Sequence, residues 1–313
     1  MLPALSSFAW AQAYPSRPVT IIVPVPPGGV TDPIARILAD HLTVTLGQPV
    51  VVENVTGAGG SIGVGRAARA APDGYTVSIG NWLSHVGASV VYPVQYDVLK
   101  DFEAVSLLTN SPILITARKD FPANDLKELI TWLKANPDKA TAATVGAGSA
   151  AHVSGVYFQR ATGTRFQFVP YRGGGPAVQD EVAGHVDLMF NEATGALPYV
   201  LSRQVKTYAV LAKTRWFAAP DTPTSEELGV PGINISFWHG LWVPKGTPKE
   251  IVAKLNGAVV AALADPTVRK RLTDIGQEIF PRDKQTPEAL HAFHKAETEK
   301  WWPIIKAAGI KVE

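Results

Sequence analysis

The 313-residue chain predicts an α/β protein of two lobes, with a doubly wound sheet in each. Three observations carry that expectation. Apolar, β-branched runs end in glycine-rich turns and then in segments of helical period, the pattern of strand–turn–helix units in a parallel sheet. The construction recurs in a second series later in the chain, beginning near residue 113. The length suits about two domains of roughly 150 residues each.

The elements follow in order. Residues 19–25, VTIIVPV, read as a buried strand. Pro26-Pro27-Gly28-Gly29 is a turn, and Asp32 is expected to N-cap a helix with Pro33 at its first position. Ile34, Ile37, Leu38 and Leu42 then recur at helical spacing as far as Gly47. Residues 50–52 start a second strand, and the turn Gly57-Ala58-Gly59-Gly60 leads to a helix capped by Ser61 and running to Ala71. Residues 75–79 form a third strand. Residues 105–108 and 113–117 read as two strand pieces broken by Asn110-Ser111-Pro112. In the second series, Asp125 caps a helix, and strands at 140–145, 166–170 and 186–190 each end in a polar or glycine turn. A helix near 196–202, strands at 207–212 and 237–243, and helices at 248–264, 266–274 and 287–307 complete the chain.

Composition excludes several functions. Apolar residues make up 46% and charged residues 18%, a balance too apolar for a disordered chain. Lys plus Arg number 29 against 27 Asp plus Glu, so the net charge of +2 gives no bulk attraction for nucleic acid, which is not expected as a partner. With no cysteine, thiol catalysis, disulfides and cysteine-ligated metals are ruled out. Residues 2–13 form a short apolar run ending in Ala11-Gln12-Ala13, the small-x-small pattern of a signal-peptidase site. Export to the periplasm, with cleavage after about Ala13, is therefore expected.

Four turns share one plan, at 26–32, 57–61, 146–152 and 171–176: a strand ends, glycine follows, a helix begins. The first turn of a helix carries unpaired N–H groups and the positive end of the macrodipole, so it receives an anion without a cationic side chain. Glycine lets the backbone approach closely. Glycine also serves any tight βα connection, so one such turn says little. Four, beyond the carboxyl ends of strands where ligands gather, point to a cleft that holds an acid. The rival reading is a Rossmann-like α/β enzyme with a nucleotide cofactor. Its fingerprint is poor: residues 57–63 read G-x-G-x-x-x-G, and no acidic residue closes the next strand, where Ile79 leads to Gly80 and Asn81. G-x-x-x-x-G-K-[ST] and G-x-S-x-G are both absent.

Individual side chains add detail. His152, just past Ser149 at a helix start, is placed either to reach a ligand or to cap the turn. Arg172 precedes three glycines, where it either pairs with a carboxylate or is simply solvated. His291 and His294 share a helix face near Glu297 and read as solvated surface rather than metal ligands. Trp82 and Trp238 lie at or near strand ends and are candidates for the apolar walls of a ligand slot, against core packing as the ordinary role of tryptophan.

The segments PVTIIVPVPPGGVTDPIARILA, VVVENVTGAGGSIGVGRAARAAPDGYT, YDVLKDFEAVSLL, VPYRGGGPAVQDEVAGHVDLMF, DTPTSEELGVPG and FWHGLWVPKGTP resemble the tripartite tricarboxylate transporter receptors, the Bug or TctC-like solute receptors, from about residue 15 to the C-terminus. The resemblance implies a type II periplasmic-binding-protein fold that closes on an organic acid and delivers it to the membrane components of a transporter. It implies a monomer with no cofactor, no metal and no catalysis. Lobe 1 would be 14–112 plus 236–313, and lobe 2 would be 113–235. By the same resemblance, Pro27, Gly28, Gly29, Val30, Thr31 and Asp32, with Ala58, Gly59 and Gly60, would grip one carboxylate. Gly148, Ser149, Ala150, His152, Tyr171, Arg172, Gly173 and Asn191 would meet the distal end. Asn81, Trp82 and Trp238 complete the expected site. Val25, Val30, Val55-Thr56 and Trp82 depart from the usual residues of that family, and the tryptophans favour an acid with an apolar or aromatic body.

Overall fold

A computed structural model describes residues 14–310 except Ile233; the expected signal-peptide segment lies outside the described residues. Parallel strands β1 (Val19–Val23), β2 (Val50–Asn54) and β3 (Thr76–Asn81) open the chain, alternating with helices α1 (Thr31–Leu46) and α2 (Ser61–Ala68). A π-helical turn at Leu83–Gly87 and the short α3 (Ala88–Val91) follow. Strand β4 (Phe102–Arg118) then leads through α4 (Leu126–Ala135), β5 (Thr141–Thr144), α5 (Ala150–Thr162), β6 (Gln167–Pro170), α6 (Gly174–Ala183), β7 (Leu188–Glu192), α7 (Ala193–Leu201) and β8 (Val205–Val210). The chain returns through β9 (Ser236–Pro244), α8 (Lys249–Ala264), α9 (Pro266–Asp274), β10 (Glu278–Ile279) and α10 (Pro287–Ala307).

The strands lie in the order β2-β1-β3-β9-β4-β7-β5-β6, with β10 and β8 also paired to β4. The expected break at Asn110-Ser111-Pro112 does not occur: β4 is one strand of 17 residues. Its pairing with β9 ends at Pro112 opposite Ser236, and its pairing with β7 starts at Ile113 opposite Glu192. Proline has no N–H to give a ladder, and here it stands where one partner hands over to the next, so the turn signal is overruled by the two sheets that β4 serves.

Lobe 1 carries helices on both faces of its sheet. On one face Ile21, Leu38, Leu42, Val259 and Leu263 join α1 and α8 to the strands. On the other, Trp82, Trp238, Trp242, Leu290 and Trp301 form an aromatic core under α10. Each such buried side chain contributes roughly 1.5–3 kcal/mol. In lobe 2 Leu129, Leu133, Phe158 and Phe190 do the same work. The expected helix to Ala71 ends at Ala68, and Ser61 is its first residue rather than its cap, because Gly60 at φ 94° takes the capping position.

Candidate functional site

The first turn of lobe 1 is built on itself. Gly28, at φ 78°, turns its N–H onto Asp32 Oδ2 at 3.0 Å, and Gly29 N donates to Pro26 O at 3.0 Å. Helix α1 begins at Thr31, so Asp32 is its second residue and not the N-cap, which is Val30. Its carboxylate reaches back instead of capping forward, accepting also from Arg36 Nε at 3.1 Å and Asn54 Nδ2 at 2.9 Å. Burial works to raise the Asp32 carboxyl, but hydrogen bonds from Arg36, Gly28 and Asn54 outweigh it and hold it below its ordinary range. Asp32 N donates in turn to Gly29 O at 2.9 Å, so three of the amides expected to grip an acid are spent within the loop. Among the described residues, those of Val30 and Thr31 have no partner, and both stand at the positive end of a 16-residue helix. Asp32→Asn removes a charge whose stabilisation is present above the unfolded pKa and lost as pH falls through the folded one. It is expected to lower stability by about 1 kcal/mol and ligand affinity in step. Denaturant melts and calorimetry check this; full stability with binding abolished would instead assign Asp32 a direct contact.

In the second turn Gly57, Ala58, Gly59 and Gly60 all have positive φ, from 47° to 120°. Gly60 N closes on Gly57 O at 2.9 Å, and the amides of Ala58 and Gly59 have no partner among the described residues. Tyr92 covers Gly59, for a Cβ there would stand 2.9 Å from Tyr92 Cε2.

Beneath these turns runs a polar floor. Asn81 Nδ2 donates to Thr31 Oγ1 at 2.8 Å, and Asn81 Oδ1 accepts from Ser84 N at 3.0 Å. His239 links Thr31 Oγ1, 3.2 Å from Nε2, to Thr109 Oγ1, 3.3 Å from Nδ1. His239 is fully buried, and burial pushes it down to about 3; it is a neutral bridge. Asn81 therefore braces Thr31 from beneath with one of its two Nδ2 hydrogens, the other having no partner among the described residues. Trp82 and Trp238 also need correction. Both are 0% exposed. Trp82 packs edge-on to Trp301, and Trp238 Nε1 donates to Glu297 Oε2 at 3.2 Å. They are core, because strand alternation turns Trp238 toward α10 and leaves His239, the next residue, facing Thr31 and Thr109. His294 is likewise buried rather than solvated, its Nε2 lying 2.7 Å from His85 O, whereas His291 is exposed as expected.

Lobe 2 supplies the opposing turns. Ser149 N-caps α5 by accepting from His152 N at 3.2 Å, which makes Ala150 the first helical residue. The capping alternative for His152 is met by its backbone. Its ring lies edge-on to Phe168 with Nδ1 buried and unpartnered among the described residues, and burial lowers its pKa. Tyr171 Oη donates to Asp180 Oδ2 at 2.7 Å, Arg172 is exposed, and Gly173 precedes α6 in extended backbone. Asn191, 3% exposed, holds a buried Nδ2 with no acceptor among the described residues.

The two sets of turns meet. A Cβ on Gly87 would stand 2.3 Å from Gly148 O, and one on Gly148 would stand 2.5 Å from Val91 Cγ2. Val30 Cγ2 and Asn191 Oδ1 both lie within 4.0 Å of the point a Cβ on Gly195 would occupy. On the flank, Gln277 Nε2 donates to Thr194 Oγ1 at 2.6 Å and Trp216 Nε1 to Gly276 O at 3.2 Å. Among the described residues no group of three or more His, Cys, Asp or Glu is placed to hold a metal ion. No single helix there is long and apolar enough to cross a membrane.

The chain matches the tripartite tricarboxylate transporter family receptor profile over residues 34–310. It belongs to that receptor family. The receptor is 40% identical to the periplasmic binding protein BugD, with a TM-score of 0.87 over 96% of this chain and 100% of that one. It is 39% identical to MatC from Rhodopseudomonas palustris, solved with bound malate, with a TM-score of 0.87 and 93% and 100% coverage. An R. palustris protein solved with adipate is 32% identical, with a TM-score of 0.88 and 96% and 100% coverage. The fold is thus the two-lobed type II periplasmic-binding-protein fold. Sequence reasoning missed the receptor's Thr109, His239 and Gln277. For His239 a signal existed, the alternation in residues 237–243; Gln277 lies in a segment without period.

Proposed function

We propose that the receptor binds a small carboxylate between its lobes, residues 14–112 plus 236–313 against 113–235. In this reading it acts in the periplasm as a monomer and without catalysis, cofactor or metal, and passes the acid to the membrane components of a tripartite tricarboxylate transporter. The observation that carries the proposal is the pairing of unsatisfied donors across the cleft. Among the described residues, the amides of Val30 and Thr31 at the N-terminus of α1 have no partner, and Asn191 Nδ2 in the opposing lobe is buried without an acceptor. A buried donor left unpaired costs about 1–3 kcal/mol, and a carboxylate restores that and adds charge-assisted bonds. The relatives solved with malate and adipate support the same class. Expected result: isothermal calorimetry gives one site per chain for a small di- or hydroxycarboxylate, with no turnover and no nucleotide requirement. Absence of binding across dicarboxylates, hydroxy acids, aromatic acids and acidic amino acids would overturn it.

A further inference from the structure

A cavity of about 300 Å3 lies beside the point where β4 passes from β9 to β7. None of the four glycine turns lines it, so it is distinct from the cleft described above. Its wall includes Asn110 and Pro112 of β4, Leu211 just past β8, Asn234 and Ile235 just before β9, and Glu297 of α10. Three acceptors on this wall lack donors. Asn110 Oδ1 and Asn234 Oδ1 are both buried and have no partner among the described residues. The sense of the Asn234 amide is fixed, because its Nδ2 donates to Glu226 Oε1 at 2.9 Å and a reversal would set oxygen against carboxylate. Glu297 spends Oε2 on two indoles, Trp238 Nε1 and Trp301 Nε1, each at 3.2 Å, and its Oε1 accepts no hydrogen bond among the described residues. Two nearby cations are engaged elsewhere. Arg215 Nε donates to Glu227 Oε2 at 3.0 Å, and Lys300 Nζ donates to Asn234 O at 3.1 Å while lying over the Trp301 ring. Lys213 and Glu278, both exposed, line the cavity with opposite charges. Burial raises the Glu297 carboxyl, and the Lys300 charge and the two indole N–H groups work to lower it.

We infer that this cavity is a second binding site, for a primary ammonium carried on a compact apolar body. An ammonium brings three N–H donors and no acceptor, to a cavity whose unpaired polar groups are three acceptors, and Glu297 supplies the opposite charge. Pro112, Leu211 and Ile235 supply an apolar wall for the rest of the molecule. A hydroxyl brings one donor and no charge. A carboxylate brings only acceptors to Asn110 and Asn234. The approach of a cation also lowers the Glu297 carboxyl and favours its ionised form. The inference is independent of the carboxylate-receptor reading, since the two sites select opposite charges.

The test uses the full chain at neutral pH, with benzylamine as the probe and benzyl alcohol as its uncharged counterpart, titrated by calorimetry. The expected result is one benzylamine per chain, bound at least about tenfold more tightly than benzyl alcohol. Glu297→Gln keeps an oxygen for the two indoles and removes the charge, and is expected to weaken benzylamine at least about tenfold. Asn110→Leu removes one acceptor at similar volume and is expected to weaken it about fivefold; it carries the test should Glu297→Gln melt early. A crystal grown with benzylamine is expected to place its nitrogen within hydrogen-bond distance of Glu297 Oε1. No benzylamine binding, binding no tighter than that of benzyl alcohol, unchanged affinity in folded variants, or a nitrogen lodged away from Glu297 would each overturn the inference. None of these outcomes bears on the carboxylate site, which the acid panel tests separately.

Discussion

Gly87→Ala is expected to lower ligand affinity by a factor on the order of 100, close to 3 kcal/mol, while leaving the melting of the empty receptor nearly unchanged. Gly87 has φ −70° and ψ −49°, so alanine meets no backbone strain there. The added methyl would point at the opposing lobe, 2.3 Å from Gly148 O, which is backbone and has no rotamer by which to yield. Within its own lobe it meets only Trp82 Cζ3 at 3.1 Å, a shift of a few tenths of an ångström. The methyl therefore acts as a wedge against closure. If closure brings Asn191 onto the acid held by Val30 and Thr31, the wedge removes contacts made only in the closed state and raises the apparent Kd by the fraction of closed molecules lost. Calorimetry reads the affinity, and small-angle scattering reads whether ligand still compacts the molecule. Parental affinity with parental compaction would show that these turns do not need to meet.

Glu181→Gln is expected to stabilise the receptor progressively as pH rises from about 5 to 8. Glu181, on α6, is 0% exposed, accepts from Thr116 Oγ1 at 2.7 Å through one oxygen and, among the described residues, has no partner for the other. Burial raises its pKa to about 8 against the lowering effect of the Thr116 bond. The sign follows from proton counts. Between the unfolded value near 4.5 and the folded value near 8, the folded protein keeps a proton that the unfolded chain has released. Stability therefore declines through that window, by about 1.4 kcal/mol per pH unit at most, and levels off above it. Glutamine keeps the shape without the ionisation and so removes the decline. Chemical melts of parent and variant at pH 5, 6.5 and 8 check this; a constant difference between them would mean that Glu181 is not held protonated.

Much of the site was legible because its backbone logic is local. Glycines at positions 57, 59, 60, 146 and 148 mark turns that need positive φ, and the strand–turn–helix order puts those turns at carboxyl ends of strands. What local signals misjudged has a common cause. Asp32 has the chemistry of a cap, yet Asn54 and Arg36, brought in by folding, draw its carboxylate backward. Trp82 and Trp238 lie near the strand ends where a ligand wall would stand, but the covering helix α10 arrives from more than fifty residues later and encloses them. His294 looks like half of an exposed pair until α10 docks against His85.

The sequence by itself determined the α/β order, the glycine turns and the family, since period, turn chemistry and motif are properties of neighbouring residues. Only the tertiary structure decided which donors stay free and which side chains face the cleft. Gly28 N is consumed by Asp32 and Trp238 Nε1 by Glu297, and Asn81 is tied to Thr31 and Ser84, while among the described residues the amides of Val30 and Thr31 and the side-chain amide of Asn191 are left unpaired. A hydrogen bond is satisfied by whatever lies within about 3 Å, and that is settled by elements distant in the chain.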